Sequence, residues 1–198
     1  MAYSMDPLTA DCYPGTAVLI NKLDIRDDAE LAEVEAEIVA TRIAEWDQFP
    51  QVNTFDFTHY KAIHTHLFSD LYNWSGQVRT VDLSKRGIRF CPAQEIEPRA
   101  ELIFARLRQL DFLRGMEYSD FVEELTDFYC STNELHPFRE GNGRTQRLFL
   151  SQLVRNAGYT LNFSEVDGNL LMFATIQAAQ GVKDLLRQLL GETIRPQT

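Results

Sequence analysis

Cysteine is scarce in this chain. Of 198 residues only Cys12, Cys91 and Cys130 are cysteines. An odd number with no paired spacing fits neither a disulfide framework nor a structural zinc site, so reduced thiols in a cytoplasmic protein are expected. Basic charge is also short. Lys and Arg number 19 against 29 Asp and Glu, a formal net charge of -10. A chain so acidic lacks the basic face that direct nucleic-acid binding or an anionic membrane needs. No apolar run is long enough to span a bilayer. Met1 to Thr9 has neither the basic start nor the apolar core of a signal peptide. The Gly-x-x-x-x-Gly-Lys-Ser/Thr run of P-loop NTPases does not occur. Nor is there an internal repeat, a low-complexity tract or a linker that would split the chain. One domain over residues 1–198 is expected, with a core of about 55–192 and an N-terminal extension, 1–54, packed on it.

Aromatic residues, by contrast, are plentiful. Hydrophobic residues make up 44% and Phe alone contributes 13, so ring packing should dominate the core. Apolar periodicity predicts a mainly α fold. Expected helices run from Asp27 or Asp28 to about Ala44 (buried stripe Leu31, Val34, Ile38, Ile43), Phe57 to Tyr72, about Arg99 to Arg114, and Tyr118 to about Asn133. Two more cover Glu165 to Ala179 and Val182 to Leu190. Glu30, Glu33, Glu35 and Glu37 read as a solvated face. His64 and His66, two apart, point to different helix faces and suggest surface or core-edge positions rather than a metal site. The one clear β signal is a hairpin, Val78–Leu83 and Ile88–Cys91 around the turn-like Ser84-Lys85-Arg86-Gly87. A lone two-stranded hairpin has exposed edges, and an exposed edge can accept another chain by strand addition.

The chemistry concentrates in the run His136-Pro137-Phe138-Arg139-Glu140-Gly141-Asn142-Gly143-Arg144-Thr145-Gln146-Arg147. A helix pattern follows at once through Leu148, Phe149, Leu150, Leu153 and Val154. The glycines therefore sit at a helix N-terminus, where unpartnered N–H groups and the macrodipole favour an anion. Gly141 and Gly143 allow a tight bend and close approach of the backbone to a ligand. Arg144 and Arg147, three apart, share a helix face and can converge on one polyphosphate. Glu140 is a hard oxygen ligand suited to Mg2+, which binds through one or two carboxylates plus substrate phosphates. Asn142 offers a further donor to phosphate. His136, on the approach to the loop, has the ordinary pKa of a general base for a hydroxyl. Read as chemistry, the stretch is a magnesium–nucleotide site with a base beside it.

The same run resembles the signature of Fic-domain proteins, His-Pro-Phe-x-(Asp/Glu)-Gly-Asn-Gly-Arg-x-x-Arg, with every fixed position matched. The resemblance implies a helical Fic fold and adenylylation, the transfer of AMP from MgATP to a hydroxyl of a target protein. It implies His136 as catalytic base, Glu140 as the Mg2+ ligand, and Gly141, Asn142, Gly143, Arg144 and Arg147 as the nucleotide cradle, Arg147 reaching the terminal phosphate. It also implies that the hairpin is the flap that docks the target segment, through Ile88, Arg89 and Phe90. Members of the family also transfer UMP, phosphate or phosphocholine, or remove AMP. These alternatives, and a non-catalytic nucleotide-binding module, stay open, although the intact motif argues against the last.

Compact proteins of this family resemble toxins of bacterial toxin–antitoxin pairs. Some of them modify the ATPase subunits of type II topoisomerases. Restraint there comes from a helix with the motif (Ser/Thr)-x-x-x-Glu-(Gly/Asn), whose glutamate meets the second motif arginine. Here Thr41 to Glu45 fits five positions but is followed by Trp46, Ser119 to Glu123 is followed by Glu124, and Glu192 lacks a Ser or Thr four residues before it. A separate small antitoxin is therefore the expected source of the inhibitory helix.

Overall fold

The helix behind the glycine turn is the axle of the structure. In the computed structural model, which describes residues 11–46, 54–85 and 87–197, Phe149, Leu150, Leu153 and Val154 are wholly buried. The elements in order are α1 (Asp28–Trp46), α2 (Phe57–Phe68), β1 (Ser84–Lys85), β2 (Ile88–Arg89), α3 (Ile96–Gln109), α4 (Tyr118–Leu135), α5 (Asn142–Asn156), β3 (Tyr159–Thr160), α6 (Gly168–Ala179), α7 (Asp184–Thr193) and β4 (Arg195–Pro196). Helix α5 packs between α2 and α4, and α1 packs on α2. Around Phe149 the rings of Tyr60, Phe104 and Phe128 lie 5.3, 5.7 and 5.6 Å away between centroids. Edge-to-face and offset contacts of this kind add to plain area burial, so the phenylalanine-rich composition becomes one aromatic core directly beneath the motif loop.

The mainly α reading with a small hairpin holds, with local differences that have physical causes. Helix α1 extends to Trp46 and buries Leu31, Glu35, Val39 and Trp46. Ile43 is exposed and Val34 and Ile38 are only half-buried, so the stripe is rotated from the expected one and Glu35 does not belong to a solvated face. Helix α2 stops at Phe68, although Leu71 and Tyr72 beyond it are buried. Asp56 caps its start, accepting from the His59 N–H at 2.8 Å. Helix α3 begins before Pro98, which the first turn tolerates because that N–H has no intrahelical partner. It ends in a tight turn with positive φ at Asp111, Phe112 and Leu113. Helix α6 starts later than expected, at Gly168, after Asp167 accepts from Leu170 N–H, and α7 is displaced to Asp184–Thr193.

The hairpin is shorter than the alternation suggested, with register Ser84↔Arg89 and Lys85↔Ile88. Its outer ends are spent elsewhere. Arg79 N–H donates to Pro137 O and Cys91 N–H donates to Glu134 O, both at 2.9 Å, so Arg79 bonds to the motif loop and Cys91 to the end of α4 instead of extending the ladder. Arg86 of the expected turn lies outside the described residues, as do residues 1–10 of the N-terminal stretch expected to be irregular. A second antiparallel pair, Tyr159↔Pro196 and Thr160↔Arg195, had no signal in the alternation. Among the described residues, no helix is long and apolar enough to cross a membrane.

Candidate active site

A cavity of about 620 Å³ opens over the N-terminus of α5. The motif contributes His136, Glu140, Gly141, Gly143, Arg144 and Arg147 to its lining. Lys85, Ile88 and Phe90 close it from the hairpin side, and Phe163, Val166, Leu171, Met172 and Ile176 form an apolar wall. One half is thus polar and cationic and the other flat and greasy, a division that suits a nucleotide better than a bare anion.

His136 ends α4 in the left-handed conformation, with φ 43° and ψ 59°. Helices commonly end this way, but on glycine. A side chain held there is strained and persists only because its surroundings fix it. Arg79 supplies much of that fixing. It is buried, and its guanidinium donates to His136 O at 2.8 Å and to Val81 O and Cys91 O at 2.6 Å. Phe90 stacks on the imidazole with centroids 3.7 Å apart and planes 8° apart. His136 Nδ1 lies 3.2 Å from the Asn133 carbonyl. A carbonyl only accepts, so Nδ1 carries the proton and Nε2 the lone pair. Burial pushes the imidazole down to about 3, with Arg79 and Lys85 adding to the effect. The sequence suggested a group titrating near neutral pH. The structure instead keeps His136 neutral throughout the physiological range.

Asn142 also departs from expectation. Its Oδ1 accepts from Phe138 N–H at 2.8 Å and its Nδ2 donates to Phe138 O at 2.7 Å. The oxygen and one N–H of the amide are thus engaged by Phe138, and the side chain staples the loop. Gly141 has φ 79°, and a Cβ there would stand 2.3 Å from the Phe68 ring.

Glu140 Oε1 accepts from Gly141 N–H at 2.8 Å and lies 3.4 Å from Arg144 Nη2. Its carbonyl faces His64 Nε2 at 3.0 Å, while His64 Nδ1 accepts from Gly76 N–H at 2.8 Å. His64 is therefore the Nε2–H tautomer. It is fully buried, stacked 3.8 Å from the Phe138 ring, and pushed down to about 3 by burial. A core-edge position underestimated it, because it props the loop from below. Among the described residues no cluster of three or more His, Cys, Asp or Glu could hold a metal. A magnesium ion would take one protein oxygen, from Glu140, and the rest from phosphate and water, which is how that ion is commonly held.

Arg147 is the decisive cation. It lines the cavity half-buried, its burial lowers its pKa, and it has no ion pair with any described residue. A desolvated guanidinium without a counter-charge is costly unless an anion completes it.

The Fic/DOC family profile matches residues 54–154. A probable protein adenylyltransferase, y4lH of Sinorhizobium fredii, is 41% identical over 177 residues, 89% of this chain and 89% of that protein. This chain belongs to the Fic/DOC family. The protein adenylyltransferase VbhT of Bartonella schoenbuchensis is 37% identical over 96% of this chain and 39% of its own length. The BepC protein of Bartonella tribocorum, solved with bound AMPPNP, superposes with a TM-score of 0.90 at 27% identity, covering 95% of this chain and 97% of that one. Within this Fic domain the motif residues converge as their spacing implied. Arg79, which bonds His136 O, His64, which faces Glu140 O, and Glu35, which pairs with Arg144 and Tyr72, support them with no sequence signal. Each sits in an ordinary helix or strand pattern whose spacing does not name its partner.

The two props have a measurable cost. Between about pH 3 and 6.5 the unfolded chain protonates His64 and His136 whereas the fold does not, so the unfolded state binds more protons and stability rises with pH. Stability is complete above the unfolded pKa and is lost as pH falls below it, at about 1.4 kcal/mol per pH unit for each histidine. Denaturant unfolding across this range should show the slope, and His64→Gln should remove one share of it. A slope unchanged in that variant refutes the assignment.

Proposed function

We propose that this chain is a protein adenylyltransferase that moves AMP from ATP to a hydroxyl side chain of a target protein. The observation that carries the reading is Arg147, a half-buried cation on the cavity wall with no described carboxylate partner. The adenylyltransferase names of the relatives and the AMPPNP-bound structure support it. In this reading the base lies against the apolar wall and the phosphates over the α5 N-terminus, held by the backbone at Gly141 and Gly143, by Arg144 and by Arg147. His136 Nε2 takes the proton of the target hydroxyl. The freed oxygen bonds to the α-phosphorus as the bond to the β-phosphate oxygen breaks, and pyrophosphate leaves. Mg2+ held by Glu140 would neutralise charge on the phosphates. Positioning and electrostatics supply the rate, as in phosphoryl transfer generally.

The test is incubation with ATP labelled at the α- or the γ-phosphate, with Mg2+ and a cell lysate. Label transferred to protein from the α-position alone supports AMP transfer. Label from the γ-position shows phosphate transfer, and a preference for UTP shows UMP transfer. Glu140→Ala should weaken MgATP binding about tenfold by calorimetry, since it removes the one protein oxygen offered to the metal; unchanged affinity and transfer exclude the role.

The flap suits target docking. Phe90 N–H donates to Leu83 O, and antiparallel ladders alternate inward and outward pairs. Arg89 N–H therefore points away from β1, toward the free edge. Arg89→Pro removes that donor and should lower target modification about tenfold while self-modification persists. Joint loss of both would indicate misfolding.

A toxin restrained by a separate small antitoxin remains the regulatory reading. Glu45 is held by Arg42 at 2.9 Å, and Arg42 also pairs with Asp70, so the partner of Glu45 is Arg42 and not Arg147. The ATPase subunits of type II topoisomerases are the first protein targets to assay.

A further inference from the structure

Glu35 is a carboxylate where a helix core should be apolar. It lies in the middle of α1 and is 8% exposed. Its Oε1 accepts from Arg144 Nη2 at 2.5 Å, and its Oε2 accepts the hydroxyl of Tyr72. Tyr72, itself 1% exposed, is stacked on Trp74 with centroids 4.3 Å apart, so the second anchor is rigid. The Arg144 guanidinium lies over the Phe68 ring, 4.8 Å from its centroid. A buried carboxylate is expensive unless it is paired and hydrogen-bonded, and here one bond leads to Arg144 on the cavity and the other to Tyr72 in the core.

We propose that Glu35, locked by Tyr72, is the positioning residue for Arg144. The nearer carboxylate oxygen, Glu35 Oε1, and one aromatic face fix the plane of the guanidinium fork, whose Nη2 also lies 3.4 Å from Glu140 Oε1. Nε and Nη1, which hydrogen-bond to no described residue, are left for an anion in the cavity that Arg144 lines. The pair is a brace and not a restraint, because binding phosphate through those two donors does not require Nη2 to leave Glu35. The inference rests on Arg144 being a phosphate ligand, as argued above.

The sign of the effect separates brace from restraint. Glu35 also places negative charge near the phosphates, so removing it strengthens general attraction while freeing Arg144 to wander. Glu35→Ala should therefore lower kcat for AMP transfer about tenfold or more and change KM for MgATP less than about threefold. Glu35→Gln keeps an acceptor for Nη2 and should recover kcat to within about threefold of the parent, and Tyr72→Phe should fall between the two. In an Arg144→Ala background the Glu35→Ala step should cost less than about twofold, because the group it positions is gone. A merely structural glutamate would cost the same in both backgrounds, and that result overturns the proposal. So does a rise in kcat, which would make the pair an inhibitory clasp, and so does an unchanged kcat. If Glu35→Ala does not fold, the cycle is run with Glu35→Gln. A small loss confined to the Arg144 background supports the brace, and any other pattern overturns it. Arg144→Ala with full transfer and full MgATP affinity refutes the phosphate-ligand reading itself. A large loss in Arg144→Ala with none in Glu35→Ala leaves that reading intact and refutes only the brace.

Discussion

Replacing His136 by alanine should leave MgATP affinity within about threefold of the parent and lower AMP transfer about 100- to 10,000-fold, the usual contribution of a positioned general base. The separation follows from the geometry. The imidazole is held by contacts that are not nucleotide contacts: the Asn133 carbonyl on Nδ1, the Phe90 ring on its face and Arg79 on its backbone oxygen. Deleting the ring removes the proton acceptor and leaves the α5 N-terminus, Arg144 and Arg147 in place. Burial keeps the ring neutral, and an anionic triphosphate beside it would favour the protonated form during the reaction. Calorimetry with MgATP beside a labelled-transfer assay decides the matter. Parallel loss of binding and transfer would make His136 a ligand residue, and retained transfer would end its role as base.

The second large effect is expected at Gly141. Its φ of 79° lies in the left-handed region, and a Cβ there would stand 2.3 Å from Phe68 Cζ and 2.4 Å from Cε2. Phe68 cannot yield easily, since it is fully buried, tilted against His64 at 4.6 Å and covered by Arg144. Gly141→Ala combines a backbone penalty of about 1–2 kcal/mol with overpacking of about 1–3 kcal/mol. In a domain of this size about 3 kcal/mol corresponds to a fall in Tm of about 6–12 °C. MgATP affinity should fall more than about tenfold, because displaced Phe68 carries Arg144 with it. Gly158→Ala is the control. Its φ is 89° but nothing lies within 4 Å of its Cβ, so only the backbone penalty applies and nucleotide affinity should not change. Parental binding in Gly141→Ala would refute the close-approach argument.

Much of this could be read along the chain. A glycine turn at a helix start, two arginines at helical spacing and a carboxylate beside them are all contained in residues 136–147, and local geometry alone makes them an anion site. Apolar periodicity marks the helices of the core, and the signature by itself implies the family. These features are local, so spacing and backbone rules suffice to read them. What supports the site is different. The Arg79 bond to His136 spans 57 residues, the His64 contact with Glu140 spans 76, and the Glu35 pair with Arg144 spans 109. Periodicity reports which face of a helix is apolar and not what stands opposite it, so Glu35 passed for a solvated acid and His64 for a core-edge residue. Asn142 suits phosphate by type, and only the loop closure shows that it also bonds Phe138 through its oxygen and one N–H. The chain by itself determined which chemistry sits at the turn. Tertiary structure decided which of those groups are free to act, because charge, tautomer and orientation are set by partners that chain order does not bring near.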